Sequence, residues 1–465
     1  MPHKFNPVIL REYDIRGVVG KTLTAADAAA LARAYGTMIQ RAGGKSIAVG
    51  CDGRTHSPDF ERALVEGLVS TGLEVKRIGR GPTPMLYFAT KHLKTDAGIM
   101  VTGSHNPPDQ NGFKMLMGRD LPGGGPVYGE KIKVLAALAE NDDFESGKGT
   151  ASEIDIQDDY VARLLSAHKN KQAFTIAWDC GNGASGDIMR RLTAKLPGKH
   201  ILLFDNIDGT FPNHSPDPSE EKNLRDLKNA VGKNHCDLGI AFDGDADRII
   251  AVDGKQRALM GDQLLAIYAH DVLKIHPGAA IVADVKASQT LFDEIARLGG
   301  KPIMWKTGNP LIKGKMAEVG APLAGEMSGH ICFGDNEGFD DGIYAAMKLL
   351  SLLGNSGLSL AAWRDRLPTM VSAPEIRFHV DEARKFVAVD EIRARLKKEG
   401  ANMNDIDGVR VSTEDGWWLV RASNTDALLV TRAEARSEAG LARLNNQLSR
   451  QLQASGLALP TAESL

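Results

Sequence analysis

Three times along this chain a short apolar run leads through a helix-like stretch to a second apolar run, and through another to a third. The first round reads "SIAVG", "LEVKRIG" and "AGIMVT", the second "FTIAWD", "HILLFD" and "LGIAFD", the third "AAIVAD", "PIMWK" and "APLAG". Strands separated by whole helices cannot pair through a tight turn, so they pair in parallel beneath their crossovers. The spacing therefore predicts α/β domains with mixed, mostly parallel sheets in three α/β/α layers. The rounds resemble one another in architecture more than in residues. Each third strand ends in a polar loop: "TGSHNP" (Thr102–Pro107), "DGDADR" (Asp243–Arg248) and "GEMSGH" (Gly325–His330). Functional loops of such sheets lie at the carboxyl ends of the strands. Three matching loops predict three related domains facing one central cleft.

The last part of the chain follows a different pattern. "GVRVSTEDGWWLVRASNTDALLVTRAEA" alternates apolar and polar residues around Asp415-Gly416. That is a hairpin signature, flanked here by helix-like ends, and predicts a smaller α+β domain. At roughly 100 to 200 residues per domain, the 465 residues suit two to four domains. Boundaries at Phe144–Asp155, Ala251–Asp262 and Pro368–Glu375 divide the chain into residues 1–150, 151–255, 256–367 and 368–465.

Composition excludes several classes. The formal net charge of -3 gives no electrostatic footprint for nucleic acid. No apolar run approaches the ~20 residues of a membrane helix, and the N-terminus lacks the apolar core of a signal peptide. Cys51, Cys180, Cys236 and Cys332 form no C-x-x-C pair, as expected of free thiols in a reducing compartment. The expectation is a cytoplasmic protein, a monomer or weak homo-oligomer, with small-molecule ligands.

In "DGDADR", Asp243, Asp245 and Asp247 alternate directly after a strand. Like charges so close repel unless a cation neutralises them, and carboxylate oxygens suit a hard ion such as Mg²⁺. An EF-hand is excluded, because Arg248 and Gly254 stand where that loop needs Gly and Glu. Arg248 is either a counter-ion for the aspartates or a substrate contact. Ser104 sits where a strand meets a bend but lacks the G-x-S-x-G context, so a turn serine and a reactive one both remain open. Its neighbour His105 need not be a base, since adjacent side chains point apart. Glu326, Ser328 and His330 alternate, and an extended backbone would put them on one side, suited to recognising neighbouring hydroxyls. Arg421, Ser423, Asn424 and Thr425 share a bend that could hold an anion.

One feature points elsewhere. Gly181-x-Gly183-x-x-Gly186 follows a strand, and Asp205 ends the next, close to a dinucleotide-binding pattern. The glycines could equally serve tight strand-to-helix packing. A Walker A loop is absent, since Glu130 stands where lysine is needed after Gly129.

Taken together, "EYDIRG", "TGSHNP", "NGFK", "DGTFPNHSPDP", "DGDADR", "GEMSGH" and "RASNTDA" resemble the α-D-phosphohexomutase family over nearly the whole chain, and most closely its bacterial mannose/glucose branch. The resemblance implies three α/β domains and a C-terminal domain of another fold. It implies a phosphorylated Ser104 that binds Mg²⁺ together with Asp243, Asp245 and Asp247. It also implies catalytic roles for Arg16, Lys114, Arg248 and His330, with Lys114 or His330 as the proton acceptor. Tyr13, Lys286, Asn309, Glu326 and Ser328 would contact the sugar, and Arg421, Ser423, Asn424 and Thr425 the phosphate that does not react. Asn309 replaces a histidine common in relatives, and Asp426-Ala427 replaces a pair that commonly ends in proline. Met327 stands where the glucosamine branch usually has glutamine.

The implied activity is interconversion of hexose 1-phosphate and 6-phosphate through a phosphoserine enzyme and a bound hexose 1,6-bisphosphate, which would also serve as activator. The alternatives are a phosphoglucosamine mutase, an NAD-dependent oxidoreductase, and a non-catalytic binder of Mg²⁺ or sugar phosphate.

Overall fold

In each of the three rounds the first strand lies in the middle of its parallel trio, with the second strand on one side and the third on the other. Ser46–Cys51 lies between Glu74–Arg80 and Ala97–Val101. Phe174–Asp179 lies between Gly198–Leu203 and Leu238–Phe242, and Ala280–Asp284 between Lys301–Trp305 and Leu323–Gly325. The repeated strand order confirms three related domains. The middle strand of the first round is buried along its whole length, which is why it reads as an unbroken apolar run and not as an alternation. The computed structural model describes residues 2–424 and 426–460.

The sheets are mixed, as expected. In the first two rounds the third strand also pairs with an antiparallel return strand, Gln110–Met117 and Ile249–Asp253 respectively. The serine and aspartate loops are therefore both strand-to-strand connections, held at each end by a ladder. Helices cover the sheets and begin where local chemistry allows. Ala25–Arg41, for example, starts at Thr24, whose hydroxyl and the Asp27 carboxylate form a capping box.

The C-terminal part carries an antiparallel sheet. Val409–Ser412 and Gly416–Ala422 form the predicted hairpin, with Ser412 opposite Trp417. Trp418 and Val420 pack with Leu444, Leu448 and Leu452 of the helix Glu438–Gln453 in one apolar cluster.

Two compact units divide the chain: Met1–Leu264 with Ser328–Trp363, and Leu265–Met327 with Arg364–Leu465. The division falls inside the "GEMSGH" loop. All four cysteines are free and buried. Among the described residues, no helix is long and apolar enough to cross a membrane.

Candidate active site

Ser104 is buried and adopts a left-handed backbone conformation, φ +47°. Such a φ is uncommon outside glycine and persists where the surroundings over-determine it. Here the Ser104 N–H donates to Thr102 Oγ1 at 2.9 Å, and its side chain donates to Asp243 Oδ2 at 3.0 Å. The approach is close enough to require glycine opposite, since a Cβ on Gly244 would lie 2.4 Å from the Ser104 carbonyl oxygen. Arg16 donates to the Gly103 carbonyl at 3.2 Å and to Asn106 Oδ1 at 2.9 Å, and pairs with Asp14. The first and second rounds thus bring the serine and the aspartates together.

Asp243, Asp245 and Asp247 are all fully buried, and their carboxylate oxygens lie within 4.8 Å of one another. Lys114 reaches in from the return strand, 2.7 Å from Asp245 Oδ2 and 2.5 Å from Asp247 Oδ2. Burial alone would lower its pKa, but the facing carboxylates raise it well above the ordinary lysine range. The aspartates divide in response. Burial, with the charges of Asp245 and Asp247, pushes Asp243 well up. Burial acts upward on the other two as well, but Lys114 draws Asp245 down, and Lys114 with His330 draws Asp247 down further.

The donor set fits a hard divalent cation. Every ligand atom is a carboxylate oxygen, and Asp245 Oδ1 is buried with no hydrogen-bond partner among the described residues.

Arg248 and His330 form an isolated antiparallel bridge. Arg248 Nε lies 3.3 Å from His330 Nε2, which is also 3.3 Å from Asp247 Oδ1. Arg248 also donates its backbone N–H to Asp243 Oδ1 at 3.2 Å. Ser328 Oγ lies 3.4 Å from His330 Nδ1. Gly329 between them has φ +99°, so the segment is a turn and not the extended stretch that would align Glu326, Ser328 and His330. Tyr13 is half-buried just before the strand Ile15–Val18.

The second unit holds another group of expected residues. Lys286 is buried with its ammonium 3.0 Å from Glu375 Oε2. Glu326 Oε1 accepts the Gly308 N–H at 2.7 Å, and Asn309 opens the helix Asn309–Val319. Arg421 pairs through Nε with Asp407 Oδ2 at 3.0 Å. Ser423 Oγ accepts the Asp426 N–H at 3.2 Å, and Asn424 is half-buried beside it. Thr425 lies outside the described residues.

Comparison with known proteins bears on all of these loops. Phosphoglucomutase/phosphomannomutase alpha/beta/alpha domains I, II and III match residues 7–145, 158–256 and 260–370, and the C-terminal domain matches 375–451. The chain belongs to the phosphoglucomutase/phosphomannomutase family. It is 42% identical over 453 residues to a phosphomannomutase/phosphoglucomutase of Pseudomonas aeruginosa, covering 97% of each chain. It is 41% identical over 444 residues to a phosphoglucomutase of Neisseria meningitidis, covering 94% of this chain and 95% of the relative. A crystal structure of a family protein from Burkholderia thailandensis superposes with a TM-score of 0.91 at 40% identity, covering 98% of this chain and 100% of that one.

Membership of the phosphoglucomutase/phosphomannomutase family replaces the dinucleotide reading of the glycine loop, and the geometry gives the reason. A Cβ at Gly183 would meet the Gly244 carbonyl oxygen at 2.7 Å, and one at Gly186 the Asp205 carbonyl oxygen at 2.0 Å. The glycines admit the chain's own backbone. The Ala184 N–H donates to the Gly244 carbonyl at 2.8 Å, so this loop buttresses the aspartate loop.

The sequence reading missed several residues of these sites. Thr83, at the start of the helix Thr83–His92, donates its hydroxyl to Asp245 Oδ2 at 2.5 Å and its N–H to the Asp245 carbonyl at 2.9 Å. Asp340 forms a second acidic and imidazole cluster with Asp247 and His330. His105 faces Asp217 at 3.2 Å, and burial holds its pKa down at about 4. Asp407 and Glu375 carry no motif; each is visible only as the partner of an expected cation.

Proposed function

We propose that this protein interconverts hexose 1-phosphate and hexose 6-phosphate, with mannose or glucose as the sugar, using Ser104 as the phosphoryl carrier. The observation that carries the reading is the Ser104 hydroxyl, 3.0 Å from Asp243 in a buried cluster of three aspartates and a lysine. A serine held there in a strained bend is poorly explained as a plain turn residue. The names of the relatives support the same reading. Residues 1–150, 151–255, 256–367 and 368–465 are taken as the four domains, each contributing one loop.

Phosphoserine 104 donates its phosphoryl group to the free hydroxyl of the sugar monophosphate: a bond from the sugar oxygen to phosphorus forms as the Ser104 Oγ–P bond breaks. The bound 1,6-bisphosphate turns end over end and returns its other phosphoryl group to Ser104. Phosphoryl transfer asks mainly for positioning and charge neutralisation. Mg²⁺ held by the serine-linked phosphate and by Asp243, Asp245 and Asp247 would supply part of that neutralisation. Arg16, Lys114 and Arg248 supply fixed positive charge. Lys114 is held protonated between two carboxylates, which favours His330 as the group that takes the hydroxyl proton.

Tyr13, Lys286, Asn309, Glu326 and Ser328 read the sugar. Arg421, Ser423, Asn424 and Thr425 hold the phosphate at rest, exchanging Asp407 for that phosphate at Arg421. Hexose 1,6-bisphosphate activates by phosphorylating any Ser104 that has lost its group.

Intact mass and peptide mapping after incubation with glucose 1,6-bisphosphate should show one phosphoryl group on Ser104. Mannose, glucose and glucosamine 1-phosphates, assayed side by side, should be converted with the first two well ahead. No phosphate on Ser104, or glucosamine preferred, would sink the reading.

A further inference from the structure

The segment "CDGRTHS" after the first strand of the first round carries a buried arginine that the scheme above leaves without a task. Arg54 is 2% exposed, and its guanidinium faces a row of carbonyl oxygens of the serine loop. Nη2 donates to the carbonyls of Ser104 at 2.9 Å and Asn106 at 2.6 Å, and Nη1 to those of Pro107 at 2.5 Å and Gln110 at 2.8 Å. Nε lies 3.3 Å from Asp52 Oδ2, and the same oxygen accepts the Gly103 N–H at 3.0 Å. Asp52 Oδ1 is held in turn by the Ser57 hydroxyl at 2.6 Å. The loop is thus gripped through its backbone just before, at and after Ser104.

The second domain closes over this clamp. Phe211 of "DGTFPNHSPDP" lies with its ring centroid 5.0 Å from Arg54 Cζ, and a Cβ on Gly209 would fall 2.5 Å from Arg54 Cα. Gly103 has a similar constraint, because a Cβ there would lie 2.4 Å from the Arg54 guanidinium carbon.

We propose that Arg54 is a positioning residue for phosphoryl transfer: by collecting the carbonyls of residues 104, 106, 107 and 110, it holds Ser104 in its left-handed bend with the hydroxyl aimed at the aspartate cluster. Four carbonyl oxygens aimed at one point repel one another unless a cation with several donors lies between them. A guanidinium presents five N–H groups in a rigid planar fork, whereas an ammonium presents three from a single point. Without the fork the carbonyls turn toward water, the φ of Ser104 relaxes to an ordinary value, and Oγ leaves its place beside Asp243. The sugar is read by side chains elsewhere, so the loss falls on the chemical step. It falls also on protection of the phosphoserine from water, whose oxygen would bond to phosphorus as the Ser104 Oγ–P bond breaks, releasing inorganic phosphate.

The inference rests on Ser104 as the carrier, and the test separates the two ideas. Wild type and Arg54→Lys are phosphorylated with glucose 1,6-bisphosphate, freed of it, and followed by intact mass in buffer, with kcat and KM measured in parallel. The expected result for Arg54→Lys is a kcat lower by about 10²-fold with KM within about 3-fold, and a phosphoserine half-life at least about 10-fold shorter. Gly103→Ala, which pushes on the same guanidinium from the loop side, should shift kcat and half-life in the same direction if the lysine variant does not fold. A lower melting temperature with unchanged kcat per folded molecule and unchanged half-life would overturn the proposal and leave Arg54 a purely structural residue. A wild type that never carries phosphate on Ser104 would remove the carrier itself, and this proposal with it.

Discussion

In the first unit three carboxylates crowd into one buried cluster and share Lys114, Arg248 and His330 among them. In the second unit the charges form smaller, separate groups: Lys286 and Arg377 share Glu375, and Arg421 pairs with Asp407. The first arrangement behaves as a set. Asp243 is pushed up while Asp245 and Asp247 are drawn down, because each charge alters the cost of the next. The second arrangement consists of separate small groups, and under the proposed function an anionic ligand would take the place of Asp407 at Arg421. The difference suits two tasks. A group in flight needs dense, coupled charge that neutralises developing negative charge. A phosphate that only has to be held needs a cation kept in place until the ligand arrives.

The comparison breaks most decisively at Ser104. Ser104→Ala should reduce kcat by roughly 10⁴- to 10⁶-fold, because it removes the proposed phosphoryl carrier; near-normal turnover would place the chemistry elsewhere. Asp245→Asn should lower kcat by about 10²-fold or more and shift the Mg²⁺ titration to higher concentration. Combined with Lys114→Met, its effect should be clearly non-additive, as expected for groups in contact.

In the second unit, Arg421→Ala should raise KM by about 10- to 100-fold with kcat within about 3-fold, the loss of charge-assisted bonds made equally in ground and transition states. A fall confined to kcat would show the two regions to be alike.

The smallest expected effect concerns acid stability. Burial raises the pKa of Glu375, but Lys286 and Arg377 outweigh it and draw the carboxyl down to about 2. A depressed folded value means the ion pair stabilises the protein above the unfolded glutamate pKa of about 4.3, and that the contribution is lost as pH falls toward 2. Melting temperature should therefore drop less steeply on acidification in Glu375→Gln than in wild type. Parallel slopes would mean that the pair contributes nothing.

Legibility in the sequence followed distance along the chain. The aspartate cluster was readable because its three members fall within five residues, and Ser104 because a strand stops abruptly at its bend. Thr83 was not readable: its partner lies 162 residues away, and a threonine at a helix start has an ordinary local explanation. Arg54 was missed for a similar reason, since nothing local tells a buried arginine clamp from a surface charge. A signal was available, because Arg54 follows the end of a buried strand, where functional loops gather. The glycines at 181, 183 and 186 misled in the opposite sense. Their spacing fits a nucleotide loop, and only the position of the Gly244 backbone shows what they admit.

By itself the sequence determined the three α/β rounds, the C-terminal hairpin, and the kinds of chemistry its loops could support. These depend on hydrophobic period, turn residues and neighbouring charges, all of which act over a few residues. The tertiary structure decided which cation faces which carboxylate, that Lys114 stands between Asp245 and Asp247, and that one guanidinium lies beneath the serine bend. The last two join residues 50 to 133 positions apart. Their strength depends on burial and on separations of a few ångströms, quantities that exist only once the sheets have packed.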